Sequence, residues 1–266
     1  MKNTIEAACR SEIGKIRMNN EDNFFFDGSI LPENNNGTSV TLSKRFSDVS
    51  QACFGIFDGM GGEADGQVAS HLAANAFLRD YQQNVAGGLL SESFFDRAVL
   101  HMNNQVSMAA ARNHTRMGTT AVLMGFCDDT VYISNVGDSK AFRFRAGKLT
   151  QISVDHVESA PPYLTGRQSK PRLTQYIGIP STDIRIEPYI ARSVFQAEDT
   201  YLLCSDGLTD MVSSAEIQLI LSENSNATNC VERLLEQTMK NGGRDNTTVI
   251  VARILAEVEE ANDHGR

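Results

Sequence analysis

TTAVLMGFCDDTVYISNVGDSKAFRFRAGKLTQI, residues 119–152, carries four apolar runs separated by turn residues, with no helical pattern between them. Thr119–Phe126, Thr130–Val136, Ala141–Arg145 and Lys148–Ile152 read as successive strands, with Asp128-Asp129 and Ala146-Gly147 as turns. Such short turns join antiparallel neighbours. Helical periodicity lies elsewhere, and it comes in pairs. Gly66–Gln83 puts Val68, Leu72, Ala76 and Phe77 on one face; after the Gly87-Gly88 break, Ser91–Arg112 carries Phe94, Phe95, Ala98, Leu100 and Met102. Ser214–Ser222 and Ala227–Asn241 form a second pair. Further strands are expected over Ile5–Arg10, Phe24–Phe26, Gln51–Phe57, Ile184–Ile190, Thr200–Ser205 and Asn246–Ile254, whereas Leu31–Ser50 and His156–Thr182 read as irregular. Helix pairs set between runs of adjacent strands argue against a βαβ sheet and for antiparallel sheets covered by helices.

The chain has no repeat, low-complexity block or interior linker, so one domain over residues 1–255 with a charged tail at 256–266 is expected. A net charge of −9 argues against nucleic acid or an anionic membrane as the partner. The five cysteines stand singly in apolar stretches, which suits reduced core thiols of a cytoplasmic protein. Neither cysteines nor histidines show zinc-ligand spacing. Met1–Arg17 lacks the apolar core of a signal peptide, and no apolar run reaches membrane-spanning length.

Four aspartates stand where short apolar strands are expected to run out. Asp58 follows Phe54-Gly55-Ile56-Phe57, Asp138 follows Val131–Gly137, Asp206 follows Tyr201–Ser205, and Asp245 precedes Asn246–Val251. A carboxylate at the lip of a core strand is costly to desolvate without a compensating cation. Four of them suggest a shared rim around metal ions, and hard oxygen ligands point to Mg2+ or Mn2+. The densest signal is Phe57-Asp58-Gly59-Met60-Gly61-Gly62, where glycines let the main chain turn sharply and the Gly59 carbonyl approach an ion.

Arg17-Met18-Asn19-Asn20-Glu21-Asp22-Asn23, Met117-Gly118-Thr119-Thr120, Val136–Ala141, Val154-Asp155-His156, Cys204–Asp210 and Gly242–Thr248 complete an ordered series from Gly14 to Val251. Over nearly its whole length the chain resembles the metal-dependent protein phosphatases of the protein phosphatase 2C type, in their bacterial form. The resemblance implies an α+β fold, a four-layer αββα sandwich of two antiparallel sheets flanked by helix pairs. It implies that Asp58 bridges two divalent ions, that the Gly59 carbonyl helps hold the second, and that Asp206 and Asp245 complete the first. Asp138, with Asp206, would anchor a weaker third ion, and Glu21 and Asp22 would bind directly or through ordered water. Two such ions would ionise a shared water and hold the hydroxide in line with phosphorus. Arg17, a planar always-charged fork, suits bidentate capture of phosphoryl oxygens; the alternative is a surface ion pair with Glu21.

The implied activity is serine/threonine phosphoprotein dephosphorylation, opposing a cognate kinase, by a monomer without a nucleic acid or membrane partner. The chain departs from its relatives in one respect. Histidine stands at neither Met60 nor Glu63, the positions where eukaryotic or bacterial relatives carry one, so no side-chain acid is assigned. His71 reads as a packing or surface residue, and His156 as a structural residue in the turn after Ile152, with a catalytic role as the second choice. Residues 161–176 fall at the family's flap, where Arg167, Lys170 and Arg172 either form a solvated loop or meet acidic residues around a phosphosite. The rivals are a phosphoprotein-binding pseudophosphatase, a phosphatase dedicated to a regulatory factor, and a metal phosphodiesterase, the last disfavoured by the acidic balance.

Overall fold

Fully apolar strands must be covered on both faces, and the strands here are covered in two different ways. In a computed structural model, described over residues 3–61, 65–85, 90–158, 170–180 and 184–256, twelve strands form two antiparallel sheets. They are β1 (Thr4–Glu12), β2 (Asp22–Phe26), β3 (Leu42–Phe46), β4 (Cys53–Gly61), β5 (Met117–Thr119), β6 (Ala121–Cys127), β7 (Thr130–Val136), β8 (Lys140–Arg145), β9 (Lys148–Gln151), β10 (Tyr189–Val194), β11 (Thr200–Cys204) and β12 (Thr247–Leu255). One sheet has the order β3-β1-β12-β11-β8-β9. The other runs β10-β7-β6-β4-β2, with β5 paired to the end of β4.

The helices are α1 (Asp65–Val85), α2 (Glu92–Asn113), α3 (Asp206–Thr209), α4 (Ser214–Glu223) and α5 (Ala227–Lys240). Three apolar clusters define four layers. Phe24, Phe54, Phe126, Tyr201 and Ile250 fill the space between the sheets. Phe25, Phe57 and Leu123 meet Phe77, Phe94 and Phe95 of α1 and α2. Leu202 and Val251 meet Ile217, Val231 and Leu234 of α4 and α5. The αββα sandwich implied by the sequence is thus the observed architecture.

Three element assignments are corrected. Leu42–Phe46 lies inside the stretch expected to be irregular, yet pairs with β1 at the sheet edge; its Ser-Lys-Arg centre is exposed, so no apolar run marked it. The strand expected over Ile184–Ile190 begins only at Tyr189, because Ile186 is buried from a loop and pairing with β7 runs from Tyr189 to Val194. Asp58 does not stand where its strand ends. β4 continues to Gly61, since β5 pairs with it opposite Gly59, Met60 and Gly61. The tail and most of the flap lie outside the described residues, as does Glu63.

At the far end of the sheets, Asp199 is fully buried and accepts from Arg145 Nε and Nη2 at 2.5 Å each, from Gln196 N–H at 2.9 Å and from Tyr201 Oη at 3.1 Å. Removing the cation leaves an uncompensated buried charge. Arg145→Ala is expected to cost about 3–5 kcal/mol in urea denaturation, the range for breaking such a pair. A loss below about 1 kcal/mol would mean that the pair behaves as a surface bridge.

Candidate metal centre

Strand pairing fixes the first two carboxylates. Asp22 and Asp58 face each other across β2 and β4. The Asp58 main chain is clamped: its N–H donates to Thr120 Oγ1 at 3.0 Å, and its carbonyl accepts from Thr120 N–H and Thr119 Oγ1, both at 2.9 Å. Thr120 Oγ1 also shares a 2.7 Å hydrogen bond with Ser139, beside Asp138. One threonine thereby ties β4 to the loop that delivers Asp138. Gly59 admits no side chain, because a Cβ there would lie 2.1 Å from the Gly66 carbonyl oxygen and 2.6 Å from that of Glu21. The end of β4 therefore packs backbone against backbone on the first turn of α1.

The other sheet supplies the rest. Asp206 opens α3 two residues after β11 ends, and Asp245 stands two residues before β12 begins. Asn246 staples the Arg17–Glu21 loop beside them. Its Oδ1 accepts from Glu21 N–H at 2.8 Å, and its Nδ2 donates to the carbonyls of Ile13 and Asn19 at 2.9 and 3.0 Å. Arg17, Glu21, Asp58, Gly59, Asp138, Asp206 and Asp245 all line one cleft of about 410 Å3. Asp22 sits behind it, fully buried. Its Oδ2 accepts from Ser205 and Thr248 hydroxyls at 2.8 and 2.7 Å, while its Oδ1 is buried with no hydrogen-bond partner among the described residues.

These carboxylates oppose one another. Burial, then Asp206, Asp22, Asp138 and Asp245, hold Asp58 well above the usual carboxylate range. Burial pushes Asp22 up to about 7 against the pull of its two hydroxyl donors. Asp138 is pushed up to about 6 by burial and then by Asp206. Burial also raises Asp206 and Glu21, with Lys170 and Arg17 respectively pulling back. The cleft is thus an acidic site short of positive charge.

Two side-chain cations partly supply it. Arg17 Nη2 bonds Asp245 Oδ2 at 2.7 Å, not Glu21 as the sequence alternative had it. Lys170 Nζ bridges Asp206 and Asp210, the latter at 2.8 Å. Lys170 therefore meets acidic residues of its own chain. Among the described residues no three His, Cys, Asp or Glu side chains are already closed into a metal shell, and these ion pairs occupy carboxylate oxygens that an ion would take. The donor set nevertheless fits a hard divalent cation. It is all oxygen, it carries excess negative charge, and the buried Asp22, whose Oδ1 has no partner among the described residues, adds to the negative field at Asp58.

Neither named histidine enters the cleft. His71 Nδ1 bonds the Leu31 carbonyl at 3.1 Å. His156 Nδ1 accepts from Gly137 N–H at 3.2 Å, and burial lowers its pKa. Both are structural. The roles of Thr119, Ser205, Thr248 and Asn246 went unread in the sequence, where a hydroxyl or amide has no distinguishing neighbour. Thr120 carried one signal, its place beside Gly118-Thr119.

An αββα sandwich with carboxylates from both sheets meeting at one end is the arrangement of a metal-dependent phosphatase. The chain belongs to the protein phosphatase 2C family, whose model matches residues 11–161. It is 30% identical over 256 residues to the serine/threonine protein phosphatase PstP of Mycobacterium tuberculosis, covering 93% of this chain but 45% of that protein, so it spans about half of that relative's length. It is 29% identical over 262 residues to the serine/threonine phosphatase stp of Listeria welshimeri, covering 93% of this chain and 95% of that one. The crystal structure of the PstP catalytic domain in complex with two manganese ions superposes with a TM-score of 0.74 at 26% identity, covering 96% of this chain and all of that one.

Proposed function

We propose that this chain is a Mg2+- or Mn2+-dependent serine/threonine phosphoprotein phosphatase that hydrolyses phosphate monoesters. One observation carries the proposal: Asp58, Asp138, Asp206 and Asp245, from four separate stretches and both sheets, line a single cleft that lacks enough positive charge to satisfy them. Asp58, the Gly59 carbonyl, Asp206 and Asp245 would hold two ions, Asp138 with Asp206 a weaker third, and Glu21 and Asp22 would act directly or through ordered water. Bound there, the ions supply a nucleophile ionised at neutral pH and offset charge developing on the phosphoryl group.

The chain's own residues do the rest. Arg17 stands exposed at the mouth and reaches Asp245, placed to hold phosphoryl oxygens with a two-donor fork. The Thr119–Thr120 clamp fixes Asp58 against the repulsion of its neighbours. No histidine among the described residues lines the cleft, so no side-chain acid is assigned to the leaving oxygen. A binding-only pseudophosphatase would have lost a ligand, and Asp58, Asp206 and Asp245 all stand. One catalytic domain over residues 1–255, acting as a cytoplasmic monomer against the products of a serine/threonine kinase, completes the proposal. No helix among the described residues is long and apolar enough to cross a membrane.

Turnover of p-nitrophenyl phosphate and of a phosphothreonine peptide, with Mn2+, Mg2+ or chelator, tests the assignment. Activity should vanish with chelator, and metal-independent hydrolysis would refute it. Arg17→Ala should raise KM by about ten- to a hundredfold, the scale of a charge-assisted hydrogen bond, with kcat little changed. An unchanged KM removes Arg17 from phosphate binding.

Lys170 should compete with metal for Asp206. Calorimetry of Mn2+ binding to Lys170→Ala is expected to show affinity tightened by about fivefold at low salt, the scale of a half-exposed ion pair. Equal affinity would show that the bridge and the metal do not share oxygens.

A further inference from the structure

A second, larger groove of about 650 Å3 opens beside the aspartate cleft, and Met60, Gly61, Arg172 and Leu173 line both. Its character is the reverse of its neighbour's. Among the described residues no Asp or Glu lines it, whereas Arg116 and Arg172 do, both exposed and without an ion-pair partner there. In a chain of net charge −9 this is a local concentration of positive charge over an apolar floor that includes Met117 and Pro180.

The groove is built into the fold. Thr119 and Ile177 exchange both main-chain hydrogen bonds, at 3.0 and 2.8 Å, so the segment carrying Tyr176 and Pro180 is attached to β5. The buried Asn103 of α2 fixes the same segment, accepting from Gly178 N–H at 2.7 Å and donating to the Ile179 carbonyl at 3.0 Å. At the floor, a Cβ on Gly118 would stand 2.5 Å from the Tyr176 ring and 3.0 Å from Met60 Cε. A glycine there lets both side chains pack down and leaves the trough open. A wall held at its backbone costs little ordering when a ligand enters.

We propose that this groove is a substrate subsite that takes an acidic segment flanking the phosphoserine or phosphothreonine, with Arg116 and Arg172 as its specificity-determining residues. The inference rests on the phosphatase assignment above. A phosphoryl group at the aspartate cleft places the adjoining peptide at Met60 and Leu173, which form the shared border. From there the chain runs over apolar floor between two exposed guanidinium groups with no ion-pair partner among the described residues, whose complement is a carboxylate-bearing peptide.

The test compares kcat/KM for two phosphothreonine peptides, one with glutamates and one with lysines on both flanks, alongside p-nitrophenyl phosphate, which has no flanks. Saturating Mn2+ is used, with the native chain and Arg116→Glu. The native protein should prefer the acidic peptide by about five- to tenfold, the scale of two exposed ion pairs, through KM and less so at high salt. Arg116→Glu should abolish or reverse that preference and leave p-nitrophenyl phosphate turnover unchanged. Equal rates on the two peptides, a preference for lysine, or an acidic preference that survives Arg116→Glu would each overturn the subsite. Failure on p-nitrophenyl phosphate itself would instead sink the phosphatase assignment.

Discussion

Asp58→Asn is expected to cut kcat/KM by more than about a thousandfold, beyond the loss of a single preorganised donor, while raising the melting temperature of the metal-free protein. The two effects have one cause. In the metal-free fold Asp58 is buried among Asp22, Asp138, Asp206 and Asp245, and each raises its pKa, which means each opposes its ionised form. An amide of the same shape removes that charge and keeps the main-chain clamp, because Thr119 and Thr120 bond the Asp58 backbone and not its carboxylate. At pH 7.5 the variant should melt several degrees higher, at about 2–4 °C per kcal/mol for a domain of this size. Measured side by side, activity and melting temperature separate a ligand from a structural residue. A variant losing both would show that Asp58 supports the fold, and one retaining activity would remove it from the metal site.

Legibility followed the same physics. The four rim aspartates could be read because each stands in or within a few residues of a strand with a mainly apolar run, and such runs announce themselves in the sequence. The layered fold could be read because two-residue turns such as Ala146-Gly147, both at positive φ, force antiparallel neighbours. The edge strand Leu42–Phe46 could not, since its Ser-Lys-Arg centre is exposed and resembles a loop. The extension of β4 past Asp58 depends on pairing with Met117–Thr119, a contact across 56 or more residues that no local pattern encodes. Ser205 and Thr248 were invisible as supports of Asp22 for the same reason: their hydroxyls acquire a partner only when β2, β11 and β12 meet. Lys170 was legible as a cation but not by its target, because a charge in a proline-rich segment gives no direction.

The metal-free protein should lose stability as pH rises from about 4 to 7, and Mn2+ should restore it mainly at the upper end. Asp58, Asp206 and Glu21 are all raised, Asp22 to about 7 and Asp138 to about 6, whereas an unfolded aspartate titrates near ~3.9. Between the unfolded and the raised values the folded state holds more protons than the unfolded one, so stability falls with rising pH; the contribution is whole below about 4 and is lost as pH rises through the raised values, about 6 for Asp138 and about 7 for Asp22. His156 works in the opposite direction. Its lowered pKa makes the fold less stable as pH drops below ~6.5, but it is one group against five. A divalent cation takes the same oxygens as the protons, so its binding weakens as pH falls. At a hundredfold excess over its dissociation constant it stabilises by about 2.7 kcal/mol, or roughly 5–10 °C here. Melting curves at pH 5 and pH 8, with and without Mn2+, should therefore show a large shift at pH 8 and a small one at pH 5. Equal shifts would mean that the ion binds away from these carboxylates, and a metal-free melting temperature that climbs from pH 5 to 8 would mean that Lys170 and Arg17 already neutralise them.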